Sequence, residues 1–200
     1  NLELMIYDNL KKNKNNIVEI KNKVIIYFVN GPYVEVQGNI SSDYTVEFID
    51  NKSGKIYYST TIKNNCWCKC SIEYFVNWKI NIYENGKMWH QHLYNAKDKR
   101  VYIHLDSSAV GDTMAWFPYA DEFRKKHGCK VLCSTFHNEW FEKEYPELEF
   151  VTPGTEVFDL YGMYNIGWYY NEDRTVNHLK IPIDFKKHPL GETATSVLGL

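Results

Sequence analysis

The sequence predicts an α+β protein: an antiparallel β-sandwich or barrel over residues 1–97, then a partial α/β unit over residues 98–200. Three observations predict it. Between Val24 and Asn95, β-branched and aromatic runs alternate with turn signals, and helical periodicity is absent. Residues 95–100 form a short polar and basic stretch with the character of a linker or strand lead-in. Beyond it the hydrophobic period switches between strand-like and helix-like, the mark of parallel βαβ units.

Taken in order, residues 24–29 read as a strand that ends at Asn30, Gly31 and Pro32, and residues 33–37 as the next. Residues 44–49 turn at 51–54 into 55–62. Residues 67–76 and 78–83 follow. Asn85 and Gly86 then supply the two positive-φ positions of a type I′ hairpin before 87–93. That is about seven strands at short spacing, which suits a sandwich or barrel.

In the second half, 101–105 is a short apolar strand and 106–112 a loop of small residues. Met114, Phe117, Ala120 and Phe123 then fall at helical spacing before Gly128. Pro118 predicts a kink if this helix begins at Asp112, or occupies a permissive first turn if it begins near Trp116. Residues 129–133 form a second strand, Asn138 caps a short helix reaching Tyr145 that Pro146 ends, and 149–151 form a third strand. Residues 157–160 read as a further strand, followed by an aromatic, glycine-containing region through Tyr170. A last helix begins near Pro189, with Gly199 as its stop signal.

Of the residues, 44% are hydrophobic and 24% charged, which describes a folded chain rather than a disordered one. No run approaches the roughly 20 apolar residues of a membrane span, and no basic segment leads into an apolar one as in a signal peptide. The expectation is a cytoplasmic protein without a membrane partner. A net charge of −2 with mixed signs offers no field for nucleic acid, and the cluster Lys11, Lys12, Lys14 is too short to supply one. Asn1 as first residue, and an α/β pattern unfinished at Leu200, predict a fragment.

Five cysteines without export signals predict reduced thiols rather than a disulfide framework. Cys66, Cys68 and Cys70 suggest a metal cluster. Alternate residues on a strand, however, stand roughly 6.6 Å apart. Thiolates sharing one zinc must approach to about 4 Å. Cys129 and Cys133 would stand about 13 Å apart on a strand, too far for a bridge. All five are expected as core thiols, with no metal held. His90 and His92 share a strand face but lack a third ligand. Trp67, Trp78 and Trp89 could line a sugar platform, though on pleated strands such rings are commonly core.

The loop at 106–112 has the position of a site, because ligands of parallel α/β sheets bind beyond the carboxyl ends of the strands. Ser107, Ser108, Ala109 and Gly111 are small enough to let backbone N–H groups approach a phosphate, and a helix starting near Asp112 would add a positive dipole end. The spacing matches neither the G-x-G-x-x-G fingerprint nor a P-loop, so neither NAD nor P-loop chemistry is supported. Asp112 suits two roles on position alone: helix N-cap, or general base for a sugar-accepting hydroxyl. Asp106 and Ser107 are expected to close the turn through local hydrogen bonds.

The run His104, Leu105, Asp106, Ser107, Ser108, Ala109, Val110, Gly111, Asp112, Thr113, Met114, Ala115, Trp116, Phe117, Pro118 resembles the autotransporter strand-loop-strand O-heptosyltransferase family. The likeness continues through Gly128 to Cys133, Glu139 to Pro146, and Pro189 to Leu200, covering most of residues 98–200. The resemblance implies a GT-B fold, of which this chain holds the first, Rossmann-like half. It implies an inverting enzyme that moves heptose from ADP-heptose, a nucleotide-sugar donor, to serine hydroxyls of an autotransporter-like acceptor protein. It further implies that Asp112 is the general base, with Ser107, Ser108, Gly111 and Thr113 shaping the substrate-binding loop. The family's cysteine-coordinated iron, which supports homo-oligomeric ring assembly, and most of its nucleotide-binding residues belong to a second half not present in these 200 residues. A fragment of this kind is expected to be inactive alone, and a non-catalytic protein- or sugar-binding module on an α/β scaffold is the alternative.

Overall fold

The computed structural model describes residues 22–200, so the Lys11, Lys12, Lys14 cluster lies outside the described residues. They form two compact units. The first comprises 22–27, Pro32–Cys70 and Asn77–Tyr94; the second comprises Phe28–Gly31, Ser71–Val76 and Asn95–Leu200.

The first unit is built on strands β1 (Lys23–Val29), β2 (Tyr33–Gln37), β3 (Asp43–Asp50), β4 (Ile56–Lys63), β5 (Cys66–Lys69), β6 (Trp78–Glu84) and β7 (Lys87–Leu93). Pairing is antiparallel throughout, in the orders β1-β2-β5 and β4-β3-β6-β7. Alternation drives it. Tyr44, Val46 and Phe48 are buried, and opposite them Ile82 and Ile80 face the same way, so cross-strand apolar pairs lock the β3–β6 register. The β6–β7 hairpin turns at Asn85 (φ 49°) and Gly86 (φ 79°), as a type I′ turn requires. The strand expected over 67–76 ends at Lys69. Residues 71–76 instead belong to the second unit, where the N–H groups of Glu73 and Phe75 donate to the carbonyls of Leu179 and Val197.

The second unit contains β8 (Arg100–Asp106), α1 (Val110–Trp116), α2 (Pro118–His127), β9 (Lys130–Ser134), β10 (Glu149–Phe150), β11 (Gly162–Gly167) and α3 (Leu190–Leu198). Its strands run parallel in the order β10-β9-β8-β11, and Phe28 and Val29 at the end of β1 continue it beside β11. Val101, Tyr102, Ile103 and Leu105 are all buried, the near-continuous apolar run of a strand covered on both faces. Phe75, Phe123, His127 and Tyr164 form a ring cluster, and Tyr102, Leu132, Val151 and Leu160 pack as a separate apolar group.

Two expectations are corrected, the helix breaks at Pro118 as anticipated, and Asp112 is not its N-cap. Residues 157–160 form no strand; the strand is Gly162–Gly167, whose terminal glycines carry weak β signal. The helix expected from Asn138 is a single 3₁₀ turn, Asn138–Trp140. Its Asn138 side chain accepts from the Thr135 N–H at 2.8 Å and donates to the Val151 carbonyl at 2.9 Å, tying the loop to the end of β10 rather than capping a helix. Pro118 opens α2 at a break between two helices, where its missing N–H is harmless. Helix α1 begins at Val110 with Ala109 as N-cap, so Asp112 is not a cap but lies in the first turn.

Candidate functional site

Strands β8 and β11 are parallel neighbours, and Asp106 pairs with Gly167, so both end at one level. Strand β9 lies on the other side of β8. The loops after β8 and β11 thus leave the sheet where its strand order reverses, the place at which open α/β sheets bind ligands.

Asp112 is half-buried there. Its Oδ2 accepts from Ser107 Oγ at 2.7 Å and from the Trp168 indole Nε1 at 2.8 Å. Among the described residues none donates to Oδ1. Ser107 Oγ also accepts from the Ala109 N–H at 3.2 Å, closing the turn as expected of this residue type. Trp168 packs against two rings, its centroid 5.1 Å from Trp116 and 4.8 Å from Phe185.

Ser108 is exposed, and its carbonyl faces His137 Nε2 at 3.0 Å, with the imidazole stacked on Trp140. Gly111 is exposed, and a Cβ there would meet nothing within 4 Å. Packing does not require a glycine at that position; the absent side chain keeps the loop surface open. Thr113 is 0% exposed, and its hydroxyl donates to the Ala109 carbonyl at 3.1 Å. Its side chain lies beneath the loop and braces the first turn of α1. The structure thus brings Ser107 and Asp112 together, leaves Ser108 and Gly111 on the open rim, and turns Thr113 inward.

A second carboxylate lies alongside. Asp106 Oδ2 accepts from the Tyr169 hydroxyl at 3.2 Å, and Oδ1 lies 3.8 Å from His104 Nε2. Burial holds the His104 imidazole below its ordinary pKa despite that neighbour, and burial, reinforced by the Asp106 charge, raises the Tyr169 phenol. A Cβ on Gly167 would meet Asp106 Cβ and the Tyr169 ring at 3.1 Å. Sequence reasoning missed Trp168, Tyr169 and His137. The usable signal for the first two was their place directly after a parallel strand, and that strand itself was not located.

All five cysteines are free; Cys68, Cys70, Cys129 and Cys133 are buried and Cys66 is exposed. Burial pushes the Cys129 thiol up to about 11 and the Cys68 and Cys133 thiols up to about 12, so these three are neutral core thiols at pH 7. Among the described residues, no three His, Cys, Asp or Glu side chains converge on a point. No described helix is long and apolar enough to cross a membrane.

No family model matches the chain. The autotransporter heptosyltransferase Aah of Escherichia coli is 30% identical over 182 residues, covering 86% of this chain and 45% of Aah. The autotransporter heptosyltransferase TibC of E. coli is 28% identical over 160 residues, 78% of this chain and 38% of TibC. A crystal structure of TibC, described as a bacterial iron-containing dodecameric glycosyltransferase, matches 89% of this chain and 46% of its own with a TM-score of 0.76 at 25% identity. A second TibC structure is a complex with ADP-D-β-D-heptose. A third relative, BimC of Burkholderia thailandensis, is named an inactive autotransporter heptosyltransferase and is 35% identical over 83 residues, 40% of this chain and 20% of BimC. The chain spans less than half the length of these relatives. With a mixed α+β fold that matches TibC and homology over most of its length, the chain belongs to the autotransporter heptosyltransferase family, matching one part of its members.

Proposed function

We propose that this chain is part of an inverting glycosyltransferase that moves heptose from ADP-heptose to serine hydroxyls of an autotransporter-like acceptor in the cytoplasm. The observation that carries the proposal is the Asp112 carboxylate, held through one oxygen by Ser107 and Trp168 at the carboxyl edge of a parallel sheet. In this reading residues 98–200 are the first Rossmann-like half of a GT-B enzyme, and residues 1–97 hold an antiparallel sandwich or barrel. Ser107, Ser108, Gly111 and Thr113 shape the substrate-binding loop, Ser108 and Gly111 by leaving room and Thr113 by bracing it from below. Assembly into a homo-oligomer is proposed from the dodecameric state named for TibC.

The reaction balances simply. The acceptor hydroxyl oxygen attacks the anomeric carbon of heptose, and the bond from that carbon to the diphosphate oxygen breaks. ADP leaves with the electron pair, and the hydroxyl proton passes to Asp112 Oδ1. Attack from the face opposite the leaving group inverts the centre. Orientation of the acceptor and stabilisation of the departing diphosphate carry more of the rate than proton removal, since a general base contributes about 10²- to 10⁴-fold.

Asp112→Asn in the full-length protein is expected to lower transfer by about 10²- to 10⁴-fold with an unchanged thermal midpoint. Transfer is read as the mass shift of a serine-containing autotransporter passenger incubated with ADP-heptose. Wild-type transfer by the variant overturns the assignment of the base. A second reading, a non-catalytic protein- or sugar-binding module on an α/β scaffold, is favoured by the likeness to a relative named inactive. Binding of the passenger with no mass shift in the wild-type protein supports that reading instead.

A further inference from the structure

We infer that Trp168 is a positioning residue: its indole N–H fixes Asp112 Oδ2 so that Oδ1 is presented to the acceptor hydroxyl. The inference rests on the reading of Asp112 as general base. Three observations carry it. The Nε1–Oδ2 distance is 2.8 Å, short for a bond from a neutral donor and in the range of charge-assisted ones. The indole packs against two rings, Trp116 at a tilt and Phe185 in a T-shaped pair, which restricts the freedom of the donor to turn away. Finally, Trp168 and Tyr169 follow directly on β11 and tether the two carboxylates that flank the neighbouring loop, Trp168 to Asp112 and Tyr169 to Asp106.

Chemistry explains why an indole suits the task. Its N–H donates and cannot accept, so it holds the carboxylate without competing for the proton that the carboxylate is to receive. Ser107, by contrast, presents a hydroxyl that rotates, and its oxygen also accepts from Ala109. With Oδ2 occupied from two directions, the carboxylate is pinned in rotation about its χ2 axis. A reacting group displaced by about 1 Å can lose on the order of 10²-fold in rate, so the pinning bears on turnover rather than on substrate affinity.

The test is Trp168→Phe in the full-length protein, which deletes the N–H and keeps an aromatic ring against Trp116 and Phe185. The expected result is a kcat lower by about 10- to 100-fold, a KM for ADP-heptose within about twofold of wild type, and an unchanged thermal midpoint. In an Asp112→Asn background the same substitution is expected to cost nothing further, because the group it positions is gone. The ¹⁵N–¹H indole resonance of Trp168 is expected to move when Asp112 is replaced by Ala. Wild-type kcat in Trp168→Phe, with Asp112→Asn inactive, overturns the inference while the base reading stands. An equal additional loss in the Asp112→Asn background also overturns it, since Trp168 would then act through packing. Wild-type turnover in Asp112→Asn removes the base reading and the inference together.

Discussion

Asp112 takes both of its hydrogen bonds on Oδ2, one from a residue five positions before it and one from a residue 56 positions after it. The near bond belongs to the loop, and a serine followed by a small-residue turn suggests it. The far bond depends on β11 lying beside β8, which no local pattern announces. Gly167 is the residue that lets the two loops approach. An added methyl would meet Asp106 Cβ and the Tyr169 ring at 3.1 Å, tighter than ordinary van der Waals contact. Gly167→Ala is therefore expected to destabilise the protein by about 1 to 3 kcal/mol, as overpacking does, measured by urea unfolding.

At the scale of elements, the helices end where left-handed glycines end them. Gly128 closes α2 at φ 61° and Gly199 closes α3 at φ 65°. Gly199 carries a second constraint, because a Cβ there would collide with the Phe75 ring. Gly86, at φ 79°, would meet nothing within 4 Å. Gly86→Ala is expected to cost about 1 to 2 kcal/mol, the left-handed penalty alone, and Gly199→Ala measurably more, compared by urea unfolding of the two variants. The break between α1 and α2 follows from Pro118, which ends one helix and opens the next. Helix α1 starts at Val110, earlier than the sequence suggested, so Asp112 is not its cap and its carboxylate meets Trp168 just after β11. The turns and strand alternation of residues 24–63 and 78–93 were legible because they are local. The short 3₁₀ turn at Asn138–Trp140 was not, because the Asn138 side chain is committed to Thr135 and Val151 rather than to a helix.

For the whole molecule, two histidines make stability depend on pH. Burial, reinforced by His90 beside one and Lys126 beside the other, lowers His92 and His127 from the ordinary 6.5 to about 4. Each is neutral when folded, so the unfolded chain binds more protons between those values. Their contribution is complete above pH 6.5 and is lost as pH falls through about 4. Urea midpoints are expected to decline over that window, and His127→Gln to weaken the decline. By itself the sequence determined that strands crowd the first half, that strand, helix and strand follow from Val101 to Cys133, and which family the second half resembles. Those properties reside in neighbouring residues: period, turn chemistry and a contiguous run. Only the tertiary structure decided that Trp168 and Tyr169 reach Asp112 and Asp106, that Thr113 faces inward, and that residues 71–76 join the second unit. Each of these depends on which strands lie side by side, and that is set by burial summed over the fold rather than by any single segment.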